Sequence, residues 1–278
     1  MTPTRVKPRG YVLVMTLLVL VIAAVALSAV TAESHQHAMA ARTAQDELQR
    51  RWAALSCEQT LLPRIPVILA SGEKPRGRMV HMLELGGQKL MLVLGDEQAK
   101  ANVNLLAQFM DATTLRETLN QLTGPGVAID LLPTVTKTKD KSGKETATAS
   151  FASYGQVFGE TPPAKLAGSV SSITGRLTCW GDTKLNTKAA SPLAVRAIAA
   201  TVLDKPELLR FDQAQKKSPD AAWRDLFVTA NILPDKVKTM ESRVTEGCAC
   251  SSLWVVPDDA RHYRFAVSSG GQTNVFEW

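Results

Sequence analysis

Four cysteines and four histidines are the side chains in this 278-residue chain best suited to metal or redox chemistry. Cys248 and Cys250 stand one residue apart, while Cys57 and Cys179 lie far from them and from each other. A structural zinc site takes four ligands, commonly as two close-set pairs. Only one such pair exists here, and His262 stands well downstream of it, so the spacing argues against zinc. In an oxidising compartment the same four thiols would supply one or two disulfides. They allow three complete pairings, which the sequence leaves open. Cys248 and Cys250 are too close for an ordinary bridge to each other, which favours long-range partners.

Other catalytic patterns are missing. His35, His37, His81 and His262 lack metal-binding spacing, and there is no Gly-x-Ser-x-Gly elbow or Gly-rich phosphate loop. The expectation is a protein that is not an enzyme; a hydrolase assembled from remote residues is the weaker alternative. Nor does the formal charge of +6 point to nucleic acid. Arg5, Lys7 and Arg9 carry three of the 32 basic side chains, leaving 29 against 26 acidic ones, an ordinary surface balance.

The elements around these residues begin with a membrane-length segment. Residues 11–32, from Tyr11 to Ala32, are uncharged and mostly apolar, and as a helix they rise about 33 Å, enough for the roughly 30 Å hydrocarbon core of a bilayer. Thr16, Ser28 and Thr31 can bond to carbonyls of their own helix. The basic residues before the segment predict a cytoplasmic N-terminus and an exterior remainder, in a single pass through the lipid bilayer. A secretory signal cleaved after Ala32 is one rival reading, although its apolar region would be unusually long. A plain uncleaved anchor is another.

Residues 33–57 read as a continuing helix, with Ala41, Ala44, Leu48, Trp52 and Leu55 recurring at helical spacing. Pro63 and Pro66 are expected to end it. The exterior domain, 58–278, opens with a hairpin of Met79–Leu85 and Lys89–Leu94 about Gly86-Gly87. A helical region follows from about Asn102 to Leu122, stopped by Gly124-Pro125-Gly126. Thr134–Ser150, with Lys137, Lys139, Lys141 and Lys144, reads as an exposed mobile loop. Helices are predicted over Pro192–Leu203, capped by Ser191, and over Ala221–Ala230 and Pro234–Ser242. Three strand-like runs close the chain: Ser252–Val256, His262–Ser268 and Gln272–Trp278. Strands at both ends with helices between them indicate an α+β domain, large enough at about 220 residues to bury its own core.

Several of these features resemble one family. Lys7-Pro8-Arg9-Gly10, followed directly by the apolar run from Tyr11, looks like the leader of a type IV prepilin or pseudopilin. Position 15, where most such subunits carry glutamate, is Met15; its absence is characteristic of the large minor pseudopilin K of the type II secretion system. The segment from Asp96-Glu97 through Lys100 to Asn102-Val103-Asn104-Leu105 resembles that family's first signature. Lys184-Leu185-Asn186-Thr187-Lys188-Ala189 resembles its second, with an extra lysine between Thr187 and Ala189.

The resemblance implies a long N-terminal helix carrying a pilin-like α/β head, with a helical and loop insertion over about 102–240. It implies a leader at 1–10, cut by a prepilin peptidase between Gly10 and Tyr11, and filament packing through Met15, Leu18, Ile22 and Ala26. Ala41, Leu48 and Trp52 would pack the stalk against the head. The implied role is a minor subunit at the tip of the pseudopilus, in the inner membrane with its head in the periplasm. There it would assist filament initiation and protein export across the outer membrane. Implied partners are the smaller I- and J-type minor pseudopilins, the major pseudopilin and the inner-membrane assembly platform. Family members can bind calcium in the helical region. Asp96, Glu97, Asp111, Asp130 and Asp182 are available donors, but none sits in a dense acidic loop and no site is assigned. A type IV minor pilin and a single-pass anchored envelope binding protein are the alternatives.

Overall fold

The computed structural model describes residues 9–71, 77–124, 127–139, 145–159, 174–257 and 264–277. The leader residues 1–8, Pro125-Gly126, Lys141, Lys144, His262 and Trp278 lie outside them. The chain divides into two compact units, Met1–Trp52 and Ala53–Trp278.

The first unit is helical. Helix α1 runs Arg9–Leu61. It contains the one candidate membrane span among the described residues, with a mean hydropathy of 2.9 over its most apolar window and no burial there. Thr16, Ser28 and Thr31 bond back to carbonyls three or four residues earlier, so the segment's hydroxyl groups are satisfied without a partner chain.

In the second unit, the last turns of α1 lead into a 3-10 turn, Leu62–Arg64, and a short helix α2, Ile65–Ala70. The long helix thus ends just before Pro63, as expected, although further helical turns follow. Pro63 and Pro66 each occupy a first-turn position, where a missing N–H costs nothing.

Strands β1 (Arg78–Leu85) and β2 (Gln88–Asp96) form the expected hairpin, with Gly86 and Gly87 at positive φ in its turn. A short pairing segment β3 (Ala101–Asn102) precedes helix α3 (Val103–Phe109). The helical region expected here consists of two helices. Asp111 accepts bonds from the Thr113 and Thr114 amides and opens a new helix α4, Ala112–Thr123, which Gly124 ends at a φ of 84°. The mobile loop is also corrected. Backbone pairing joins β4 (Thr134–Lys139) to β5 (Glu145–Ser150), because β-branched residues favour extended backbone even where charge is high.

Helix α5 (Tyr154–Phe158) and the short strands β6 (Leu177–Thr178) and β7 (Leu185–Asn186) follow. Ser191 caps helix α6 (Pro192–Ala199) through the Ala194 amide. Helix α7 (Lys205–Lys217) was not anticipated, although its start is written locally. Asp204 and Glu207 form a reciprocal capping box with Pro206 in the first turn. Helices α8 (Trp223–Thr229) and α9 (Pro234–Ser242) match expectation. The chain ends through β8 (Val244–Thr245), β9 (Cys250–Pro257), β10 (Arg264–Ser269) and β11 (Gln272–Glu277).

The main sheet is antiparallel, in the order β1-β2-β9-β10-β11. Its central strands alternate between two cores, as a period of two requires. Leu90, Leu92, Leu94, Leu253, Val255 and Ala266 pack against Ala53, Ala54, Cys57, Leu62, Ile65 and Leu69. Val93, Trp254, Val256, Phe265 and Val267 face the helices of the intervening segment. On that side Trp254 and Phe265 approach to 4.3 Å between ring centroids. Glu58, near the end of α1, accepts a 2.6 Å bond from the Arg264 guanidinium on β10, securing the helix end to the sheet. The fold is thus a long N-terminal helix followed by a mixed α/β head with a helical insertion.

Candidate functional site

Strands β2 and β9 are neighbours in the sheet, yet the whole helical insertion separates them in sequence. Both chain signatures meet at the place where that insertion leaves the sheet and returns to it. β2 ends at Asp96, and a 3-10 turn, Glu97–Ala99, carries the chain away. Asp96 caps this turn by accepting a 2.9 Å bond from the Gln98 amide. Its other carboxylate oxygen accepts a 2.7 Å bond from the Asn186 side chain. Asn186 in turn accepts from the Lys188 amide at 3.2 Å, and Thr187 pairs with Thr245 on β8 at 3.0 Å.

Glu97 is fully buried. One of its oxygens accepts from the Lys100 ammonium and the Ser252 hydroxyl, while the other is buried without a hydrogen bond among the described residues. Gly95 is required beside them: a side chain there would sit 2.8 Å from the Ser252 hydroxyl and 3.4 Å from the Lys100 ammonium. Gln98 completes the closure, donating to Asp182 and accepting from the Ala249 amide just before β9.

The asparagines of the first signature serve the next turn. Asn102 caps α3 through the Asn104 and Leu105 amides, at 2.9 and 3.2 Å, and donates to the Trp180 carbonyl at 2.9 Å. Asn104 donates to the carbonyls of Phe151 and Cys179 and accepts from the Phe151 amide. β3 runs parallel to β6 beside this junction, and β7 runs parallel to β8.

Burial dominates the electrostatics. It raises the Asp96 pKa, and the neighbouring Glu97 charge adds to this, against bonds from Asn186, the Cys248 thiol and the Gln98 amide. Burial, aided by the Glu97 charge, pushes the Cys179 thiol up and Cys250 up to about 12. Cys248 is pushed up by burial and by Asp96. None of the four cysteines is bridged in this structure. Cys57 belongs to the core beneath α1 and α2, whereas Cys179 and Cys250 belong to the opposite core. Burial holds these thiols toward the protonated form, and the buried polar groups tie the two ends of the insertion together.

The remaining candidate residues are dispersed. Asp111 is an exposed helix cap, and Asp130 lies against Gly159. Among the described residues, no three His, Cys, Asp or Glu side chains converge to hold a metal ion. Met15, Leu18, Ile22 and Ala26 are exposed on the apolar part of α1, and Ala41, Leu48 and Trp52 are exposed further along it. Reading the sequence placed Lys100 in the first signature without a partner for it, and did not single out Gln98 or Ser252. Lys100 was detectable as a charge three residues after Glu97. Ser251-Ser252 stood out as a polar pair entering an apolar strand.

No family model matches the chain, and no curated protein matches it. Among solved structures, a chain from the crystal structure of the GspK-GspI-GspJ complex of the enterotoxigenic Escherichia coli type 2 secretion system is similar. It is 15% identical with a TM-score of 0.48, and the match covers 85% of this chain and 98% of that chain.

Proposed function

We propose that this chain is a minor pseudopilin of a type II secretion system, acting at the tip of the pseudopilus to help initiate the filament that exports proteins across the outer membrane. The observation that carries the reading is the meeting of the two asparagine signatures at the root of the insertion, through the Asp96–Asn186 bond. A helix able to cross a membrane, beginning beside Gly10, supports it. In this role residues 1–10 are a cytoplasmic leader removed before Tyr11. Residues 11–32 anchor the subunit in the inner membrane, and the head lies in the periplasm.

Met15 fits a subunit with no neighbour above it. A carboxylate at that depth has a physical reason to be kept only if a partner amine meets it. The exposed side chains of Leu18, Ile22 and Ala26 would face lipid before assembly and neighbouring filament helices after it. In the same reading Ala41, Leu48 and Trp52 pack the stalk against the head. The partners of this reading are prepilin peptidase, I- and J-type minor pseudopilins, the major pseudopilin and the assembly platform. The head contributes shape and rigidity rather than catalysis.

Intact-mass and N-terminal analysis of protein extracted from native membranes tests the reading. A methylated Tyr11 terminus is expected; an intact Met1 or a Glu33 terminus would overturn processing after Gly10. Cross-linking in the same envelopes should recover smaller pilin-like subunits, and recovering none would overturn the filament assignment.

A further inference from the structure

Strand β1 is the outer strand of the main sheet and, among the described residues, pairs only with β2. An edge strand offers free backbone donors and acceptors to any extended chain that reaches it. From Val80 to Leu85 every side chain of β1 is exposed, including Val80 at 47%, Met82 at 68%, Leu83 and Leu85. Natural edges are usually shortened, covered or interrupted by lysine or proline. This one spans eight residues and has neither lysine nor proline.

We propose that β1 is a homotypic docking edge, to which a second copy of this chain adds its own β1 in antiparallel register about His81. Charge complementarity selects the occupant and the register. A two-fold axis at His81 sets Arg78 of one copy opposite Glu84 of the other, and the symmetry makes that pair twice. The same register opposes Val80 to Met82 and Met79 to Leu83, so these four apolar side chains pair with one another on their own faces. Moving the axis by one residue either way places Arg78 opposite Met82, or Glu84 opposite Val80, and both ion pairs are lost. Opposite charges directly across an antiparallel ladder stabilise it, which favours the His81-centred arrangement. The inference rests on the edge strand alone and does not depend on the secretion reading.

A symmetric position gives a direct test. At the axis, like residues face each other with Cβ atoms roughly 4.5–5.5 Å apart, close to disulfide range. Full-length protein in detergent, carrying His81→Cys, should form a disulfide-linked homodimer under mild oxidation. Its yield should exceed that of Glu84→Cys by about tenfold, because that variant sets its cysteine opposite Arg78 rather than a second thiol. Wild-type protein supplies the baseline for the native thiols. Sedimentation of the unlinked protein should show a dimer that Glu84→Lys or Met82→Lys converts to monomer; both replaced side chains are exposed, so the fold is retained. A monomeric wild type, equal linking of the two cysteine variants, or capture of the His81→Cys thiol by a different protein would each overturn the proposal.

Discussion

The Asp96 carboxylate accepts a 2.7 Å hydrogen bond from the Asn186 side chain across 90 residues of sequence, at the point where the insertion leaves the sheet. Both residues are buried, so neither exchanges its partner for water. Replacing Asn186 by leucine leaves the carboxylate short of a donor and should cost about 2–4 kcal/mol of stability in urea unfolding. Asp96→Asn removes the buried charge but sets its amide N–H against the Gln98 or the Asn186 donor, so it should also destabilise. Equal urea midpoints for wild type and Asn186→Leu would show that the bond does not hold the junction.

The raised Asp96 pKa fixes the sign of a pH effect. A folded-state pKa above the unfolded one means the fold holds the proton more tightly, so this group supports folding fully below the ordinary carboxylate range. That support is lost as pH rises through the elevated folded value. Thermal unfolding of Asp96→Asn against wild type, from about pH 4 to about pH 7, should show the variant gaining relative stability as pH rises.

Asn104 joins the start of α3 to Phe151 and Cys179 with three hydrogen bonds. Asn104→Asp would set a carboxylate against two carbonyl oxygens it can no longer donate to. We expect it to destabilise the head by about 2–3 kcal/mol, and Asn104→Ala by somewhat less. Equal urea midpoints for wild type and Asn104→Asp would contradict this.

Burial suppresses the thiolate form of the cysteines. Maleimide labelling near neutral pH should therefore be slow in the folded protein, with half-buried Cys248 reacting before Cys57, Cys179 and Cys250. Unfolding without reductant should release all four thiols to the reagent. A count of two or none would show that disulfides form in the cell.

Met15 lies within the apolar stretch of α1. Met15→Glu places an acid in the hydrocarbon without a partner and should oppose insertion by about 2.5–3.5 kcal/mol near the bilayer centre, less toward its edge. In the proposed role, secretion complementation should fall with Met15→Glu and be unchanged with Met15→Leu. Full activity of the glutamate variant would argue that a partner amine is present and that this subunit is not at the tip.

The hairpin at Gly86-Gly87, the Ser191 cap and the closing strands were all legible in the chain itself. Each depends on contacts a few residues apart, between side chains and their own backbone. The same local information was present for α7, in Asp204 and Glu207, and for the division of α3 from α4 at Asp111. It was outweighed in reading by the lack of a strong apolar stripe and by an apolar pattern that ran on across the break. Thr134–Ser150 was misread because its charge suggested solvation, while its β-branched residues were already suited to paired extended backbone.

By itself, then, the sequence determined the membrane-length helix, the opening hairpin and closing strands with helices between them, and two asparagine-rich segments of unknown relation. Tertiary structure alone decided that those segments meet. Asn186 reaches Asp96 across 90 residues and Ser252 reaches Glu97 across 155, distances over which no periodicity or cap can signal. Pairing β2 with β9 closes that gap, because burying both faces of the central strands forces the two ends of the insertion side by side. The polar groups trapped there must then satisfy one another.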